Sequence, residues 1–417
     1  MSNISRTTLE KLKGMCSPAK LLAELYIVIV ESIKSFIKNN NMISSAALAY
    51  YGIFASIPML ILAALFLVNY FTSSMGAVAG LKKITSIVLP DQQDVILKEA
   101  FTLSSLNGSW GIVGIVACVW SITPLMSTLR IIFANIFREE NRRPFFVELA
   151  IDVVVVFLFL LILISLVIGE IVYSHVTSVI VNYIPFVYQL IVLSTNLLIS
   201  IAALTAFFYV LIPVRTSFWN ILAGVMLTSV LWAVVKPSFA YFIVINPHFG
   251  FAFGSLKTIL LIILWVYMSF FILLIGVEFT AHMHRRGIVS LKYLIEIHGG
   301  KIHNVLLYKY ASVYNASDVV FQQGDAGSEM YYILGGAVQI TEGDTVIYEL
   351  NEGQIFGEAG MLLNSSRTET ATVITDNTFL LPINEAAFGV LSQYDPQLVV
   401  LLFKEMAKKL GLQHYHK

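Results

Sequence analysis

Six stretches of this chain, at roughly 43–70, 109–137, 146–172, 186–212, 218–243 and 257–281, are almost continuously apolar. A helix needs about 20 such residues to cross a bilayer. Within lipid, each backbone polar group must be satisfied inside its own segment, which favours helices over open sheets. Composition agrees: of 417 residues 57% are hydrophobic and 12% charged, about half the charged share of a globular domain. The expected fold class is a multi-pass α-helical membrane bundle of six spans, followed by something different.

The difference shows in the charge. Residues 1–299 hold 19 Lys+Arg against 13 Asp+Glu, whereas residues 300–417 hold 7 against 13. A membrane part with basic inside loops, joined to an acidic soluble domain, gives this asymmetry. No basic stripe points to a nucleic acid polymer as partner. Cys16 and Cys118 are far apart and imply neither a disulfide framework nor a thiolate metal site. The stretch Met1–Lys20 is polar and mixed, without the short apolar core of a cleaved signal.

Loop charges orient the six spans. Lys11, Lys13, Lys20, Lys34 and Lys38, then Arg138, Arg142 and Arg143, then Arg215, then Arg285 and Arg286 all fall on one side. The positive-inside rule makes that side cytoplasmic, so both termini lie inside. The 71–108 stretch on the other side balances Lys82, Lys83 and Lys98 with Asp91, Asp94 and Glu99, and a helix is expected near Gln92–Leu103. Leu21–Ile37 mixes apolar residues with Glu24, Glu31 and Lys34, and two readings fit it. One is an amphipathic helix at the inner membrane surface; the other is a helix packed beneath the bundle.

Charge within a span is costly, of order 3 kcal/mol, and turns to the bundle interior or a water-filled cavity. Arg130, Asp152 and Glu278 fall one to two turns from the inner ends of spans two, three and six. They form one expected polar network, either gluing helices together or lining a vestibule. Glu170, Lys236 and Lys257 fall at a comparable depth on the outer side, where snorkelling is the alternative. Lys236-Pro237 predicts a kink, because proline removes one helix hydrogen bond. His282 and His284, at a helix end, read as interfacial polar residues rather than metal ligands.

Beyond a linker helix over about 288–312, the period changes from helical to alternating. Runs at 319–325, 330–334, 335–340, 346–350, 370–374 and 378–382 are punctuated by Gly and Asp, as in a small β jelly roll or barrel. Helices follow at about 384–393 and 396–411. Within this α+β domain stands Phe356-Gly357-Glu358-Ala359-Gly360, with Arg367 nine residues after the Glu. Arg367 is the one arginine of residues 300–417, in a segment of net negative charge. Its fork suits two phosphate oxygens better than a lysine would.

These residues, with Gly324-Asp325, Gly336 and Gly353 ahead of them, resemble the phosphate-binding cassette of cyclic-nucleotide-binding domains over residues 305–412. The resemblance implies that Arg367 and backbone N–H groups, including that of Ala359, hold a cyclic phosphate. It further implies that Glu358 accepts from the ribose hydroxyl, that Gly357 and Gly360 permit close approach, and that Thr368 adds a hydroxyl contact. The regulatory ligand implied is cAMP or cGMP, with no cofactor or metal. Ser366 replaces the usual proline, and Ala359 a larger aliphatic. Two more residues than usual separate Arg367 from the Thr372-Val373 strand, and one of them, Glu369, places an acid near the phosphate.

The membrane part is similar to the YihY/BrkB family of bacterial inner-membrane proteins. The likeness rests on Ala46-Ala47-Leu48-Ala49-Tyr50-Tyr51 with Ser56-Ile57-Pro58, and on Trp120-Ser121, Leu125-Met126, Asn135 and Arg143-Pro144-Phe145. It rests most on Phe249-Gly250-Phe251-Ala252-Phe253-Gly254-Ser255, Leu264-Trp265-Val266-Tyr267-Met268-Ser269 and Gly276-Val277-Glu278. Six spans and a bacterial inner-membrane location follow from it. An old ribonuclease label on some members finds no carboxylate–histidine cluster here, and no enzyme is expected.

The division expected is 1–42 as a cytoplasmic segment with an amphipathic helix, 43–285 as the six-span domain, 286–304 as a linker helix and 305–417 as the nucleotide-binding-like domain. The function expected is that of a transporter or permease gated by cyclic nucleotide. The alternative is a non-transporting envelope or assembly protein whose cytosolic domain recruits partners. The lipid bilayer and a cyclic nucleotide are the partners expected; the sequence permits a homo-oligomer without specifying one.

Overall fold

The computed structural model describes residues 17–71, 109–139, 200–245, 257–297 and 301–415, with isolated positions between 144 and 198. The chain divides into two compact units. One is Ser32–His284; the other joins the chain up to Glu31 with the chain from Arg285 onward.

In the first unit α2 (Asn41–Phe71), α3 (Ser109–Phe137), α5 (Phe218–Ile245) and α6 (Lys257–His284) are long helices, and α4 (Ser200–Leu211) is shorter. The ends of the four long helices fall within three residues of the hydropathy boundaries. Two described segments, Phe218–Ile243 and Ile259–His284, are long and apolar enough to cross a membrane. The third expected span, the helix near 92–103, Asp152 and Glu170 lie outside the described residues. Helix α5 runs through Pro237 and α3 through Pro124.

α2 packs on α3 and α6, and α6 on α5. The α5–α6 crossing is built on small residues. A Cβ on Gly276 would stand 1.8 Å from Thr228 Oγ1, and one on Gly224 would stand 1.8 Å from Thr280 Oγ1. Each threonine returns its hydroxyl to its own helix, Thr228 to Gly224 O at 2.9 Å and Thr280 to Gly276 O at 2.8 Å. The Gly-x-x-x-Thr pairs thus let two backbones approach closely while leaving no hydroxyl unsatisfied.

In the second unit, eight strands form two antiparallel four-stranded sheets. They are β1 (Ser312–Tyr314), β2 (Val319–Phe321), β3 (Glu329–Gly335), β4 (Ala337–Glu342), β5 (Thr345–Asn351), β6 (Ile355–Phe356), β7 (Thr370–Val373) and β8 (Thr378–Asn384). The sheet orders are β1-β8-β3-β6 and β2-β7-β4-β5. Their inner faces share a core of Phe321, Ile333, Ile340, Leu350, Phe356, Ala371 and Leu380. Helix α9 (Glu358–Leu363) interrupts the strands, and α10 (Glu385–Tyr394) and α11 (Pro396–Tyr415) follow them. Asn384 caps α10, its side chain accepting from the Ala387 N–H.

Two expectations change here. The linker is two helices, α7 (Arg286–Glu296) and α8 (Lys301–Tyr310), because Ile297 adopts an extended conformation at the end of α7. The amphipathic helix is α1 (Ser17–Lys38), whose Ala23 and Ile27 join the cluster of Val289, Leu294, Leu306 and Leu398. Its first half is therefore a part of the C-terminal unit, not a separate segment.

Candidate functional site

The cassette follows from backbone geometry. Gly357, at φ 74°, caps the six-residue α9 from the left-handed region, where only glycine sits without strain. Asn364 ends the helix at φ 50°. The chain then pairs back on the turn before β3: Ser366 bridges Ala326, the Arg367 N–H donates to Asp325 O at 2.8 Å, and the Gly324 N–H donates to Arg367 O at 2.8 Å. Both flanks of Arg367 are thereby pinned.

Its side chain turns inward and is only 6% exposed. Nη1 donates to Gly357 O and Nη2 to Glu329 O, both at 2.6 Å. The guanidinium carbon lies 4.2 Å from the Phe321 ring centre, within the range of a cation–π contact. Phe321, Tyr331 and Phe356 form an aromatic group with centroids 5.3–6.1 Å apart. Three glycines make the room: a Cβ at Gly357, Gly360 or Gly327 would stand 2.7, 3.0 or 3.2 Å from the Arg367 side chain.

The result is a buried cation whose hydrogen-bond partners are neutral carbonyls. No carboxylate lies within ion-pair distance of it among the described residues, and its Nε–H has no hydrogen-bond partner there. Burial pulls the Arg367 pKa below its ordinary value, and Tyr331, Glu329, Asp325 and Glu358 act against that fall. Arginine remains charged in proteins. A pocketed guanidinium with N–H donors to spare is suited to an oxyanion.

The predicted site residues take different places. Phe356 is a core residue with no exposure, Glu358 is half-buried, Gly360 is buried, and Ala359 and Thr368 are exposed. Glu369 does not turn to the arginine; its carboxylate accepts from Tyr348 Oη, at 3.1 and 3.0 Å from its two oxygens. Gly327, Phe321 and Tyr348 carry no motif, and sequence reading did not single them out.

In the helical unit, Arg130 is 9% exposed, Glu278 is fully buried and Lys236 is exposed. Glu278 Oε1 accepts from Asn39 Nδ2 at 2.7 Å and Asn41 Nδ2 at 2.8 Å. His282 is fully buried rather than interfacial, and its Nδ1 donates to the Glu278 carbonyl oxygen at 2.7 Å. The two asparagines were legible only as the polar residues before span one.

Residues 32–294, more than half of the chain, match the family model for virulence factor BrkB. The chain belongs to the BrkB family. Residues 312–395 of this BrkB-family protein match the cyclic nucleotide-binding domain. A UPF0761 membrane protein of Alteromonas mediterranea is 24% identical over 275 residues, covering 64% of this chain and 89% of that protein. One from Aggregatibacter aphrophilus is 23% identical over 249 residues, covering 58% and 87%. Among solved structures, the catabolite activator protein of Thermus thermophilus matches 26% of this chain and 54% of its own, at 23% identity and a TM-score of 0.24. The BrkB-family chain is thus a membrane protein with a C-terminal cyclic nucleotide-binding domain.

Proposed function

We propose that this BrkB-family protein is a bacterial inner-membrane permease whose transmembrane path is gated by a cyclic nucleotide bound at Arg367 from the cytoplasmic side. The observation that carries the reading is the buried guanidinium held only by Gly357 O, Glu329 O and an aromatic face. Leaving a cation in a desolvated site without a counter-charge is costly. A cyclic phosphate relieves that cost with one negative charge and two oxygens for the fork. Glu358, next in line, accepts from the ribose.

Gating follows from chain continuity. Helix α7 begins at Arg286, directly after α6 ends at His284, so a shift in the sensor's helices is transmitted along the backbone to the last span. Nucleotide biases the path only by its differential affinity for two states, about 1.4 kcal/mol for each tenfold shift. Buried Arg130 and Glu278 give the bundle the polar interior a solute path needs. No catalytic step belongs to this reading.

The test is flux in proteoliposomes, using a panel of ions, small solutes and a lipid-scrambling probe, with and without cGMP or cAMP. Flux that responds to nucleotide in the native chain but not in Arg367→Gln is expected. Nucleotide that binds yet changes no flux contradicts gating, and ligand-dependent capture of a partner would then favour an assembly role.

A further inference from the structure

One pair near the anchor has no part in holding the phosphate. Tyr348 of β5 pairs directly opposite Ile340 of β4, and Ile340 pairs opposite Ala371 of β7. Directly opposed residues share a sheet face, and Ile340 and Ala371 are fully buried, so Tyr348 lies on the inner face. The chain bends at 368 and 369 before β7 begins, and the Glu369 carboxylate meets the Tyr348 hydroxyl on that inner face. Tyr348 therefore reaches across β4, a span of about 9–10 Å between next-but-one strands, to bond Glu369.

Arg367 and Glu369 stand two residues apart, so their backbones are separated by at most about 7 Å. Glu358 directly follows Gly357, whose carbonyl accepts from Arg367 Nη1. Burial first, then Glu369 and Glu358, raise the Tyr348 pKa well above its ordinary value, which keeps the phenol a donor. The Arg367 cation therefore has one carboxylate, Glu358, beside the carbonyl it binds and the Glu369–Tyr348 pair two residues further along the chain. A cyclic nucleotide brings a phosphate, a ribose and a base to these groups.

We propose that Glu369, oriented by Tyr348, reads the base of the bound nucleotide and selects guanine over adenine. The proposal rests on Arg367 as the phosphate anchor. An ionised carboxylate only accepts, with about four lone-pair sites on its two oxygens, so bonding to Tyr348 leaves room for more donors. The Watson–Crick edge of guanine offers N1–H and an N2 amino group side by side, two donors for two oxygens. Adenine sets an N1 lone pair against the carboxylate and has one amino donor. A bidentate match of this kind discriminates bases by about tenfold or more.

The experiment is calorimetric titration of the full chain in nanodiscs with cGMP and cAMP. The native chain is expected to prefer cGMP by about tenfold or more. Glu369→Gln keeps size and the Tyr348 bond but adds an N–H that suits adenine N1, and is expected to erase or invert the preference. Glu369→Ala is expected to weaken cGMP while sparing cAMP. Equal or tighter binding of cAMP by the native chain overturns the proposal, as does Glu369→Gln leaving the preference unchanged. Binding without preference, abolished by Arg367→Gln, overturns base reading alone; no binding of either nucleotide overturns the phosphate anchor and base reading together.

Discussion

Lys292 of α7 donates to Glu31 of α1 at 2.7 Å, joining residues 261 positions apart. The same ammonium lies 2.9 Å from Asp395, and Tyr394 Oη donates to Glu31 at 3.3 Å. Farther along α1, Glu24 accepts from Lys309 and Tyr310. Both acids of the N-terminal helix thus face helices that flank the β-sandwich. Among the described residues, Ser17–Glu31 of α1 belong to the same unit as α7 and α8, so under the proposed gating α1 and α7 give a conformational change two covalent routes to the bundle.

Lys292→Met would leave the Glu31 and Asp395 carboxylates together without their cation. The local cost is about 1–3 kcal/mol, the penalty for stripping partners from largely buried groups. Hydrogen exchange in the full chain should show residues 17–31 and 286–296 losing protection. Lys309→Met should do less, because Lys309 is 37% exposed against 15% for Lys292. Equal protection in all three proteins contradicts the clamp.

The clamp should also respond to alkaline pH. Burial disfavours the Lys292 charge, but hydrogen bonds to Glu31 and Asp395 prevail and hold its pKa above the ordinary lysine value. Burial and Glu24 push the Tyr310 hydroxyl up to about 12. Both folded values exceed the unfolded ones, so the stabilisation is complete below about pH 10 and is lost as pH rises through the folded values. A nitroxide at exposed Leu22 should report constant mobility from neutral pH to about 10 and reversible loosening toward 12. Loosening already at neutral pH would count against it.

Gly276→Ala should force α5 and α6 apart, since its Cβ meets Thr228 Oγ1 and, at 3.1 Å, Gly224 O. Overpacking of this kind costs about 1–3 kcal/mol, visible as a lower melting temperature in detergent. Adding Thr228→Ala removes the colliding hydroxyl and should restore part of the loss. A single variant as stable as the native chain would mean the helices cross elsewhere.

Gly327→Ala places a Cβ 2.9 Å from both Ser365 O and Gly360 Cα, which are backbone and cannot rotate away. The cassette must shift, and affinity for both cyclic nucleotides should fall about tenfold, the effect of about 1.4 kcal/mol. The cGMP-to-cAMP ratio should hold, because the added Cβ meets Gly360, Ser365 and Arg367 and not the Glu369–Tyr348 pair. A changed ratio with unchanged total affinity would contradict this assignment of roles.

The long helices were legible because apolar length and loop composition are local properties. Strands β3, β4, β5 and β8 were legible for the same reason, through alternation between Gly turns. Strand β1 went unread between the linker helix and the first alternating run, since its three residues are a strand only by pairing with β8 some 65 positions away. Arg367 and its glycines stood out as an isolated cation beside a turn motif. Glu369 read only as an acid near the phosphate because nothing local announces Tyr348, which bonds it from across β4. Glu278 was expected among Arg130 and Asp152; its described side-chain donors include Asn39 and Asn41, whose amides both donate to Oε1.

The most direct test of the central claim is equilibrium binding of cGMP and cAMP to the full chain, native and Arg367→Gln, under one ionic condition. The account predicts saturable binding of at least one nucleotide by the native chain, weakened at least about a hundredfold in the variant, as for a charged hydrogen-bonded pair. Binding unaffected by Arg367→Gln, or no binding by an intact native chain, would contradict it.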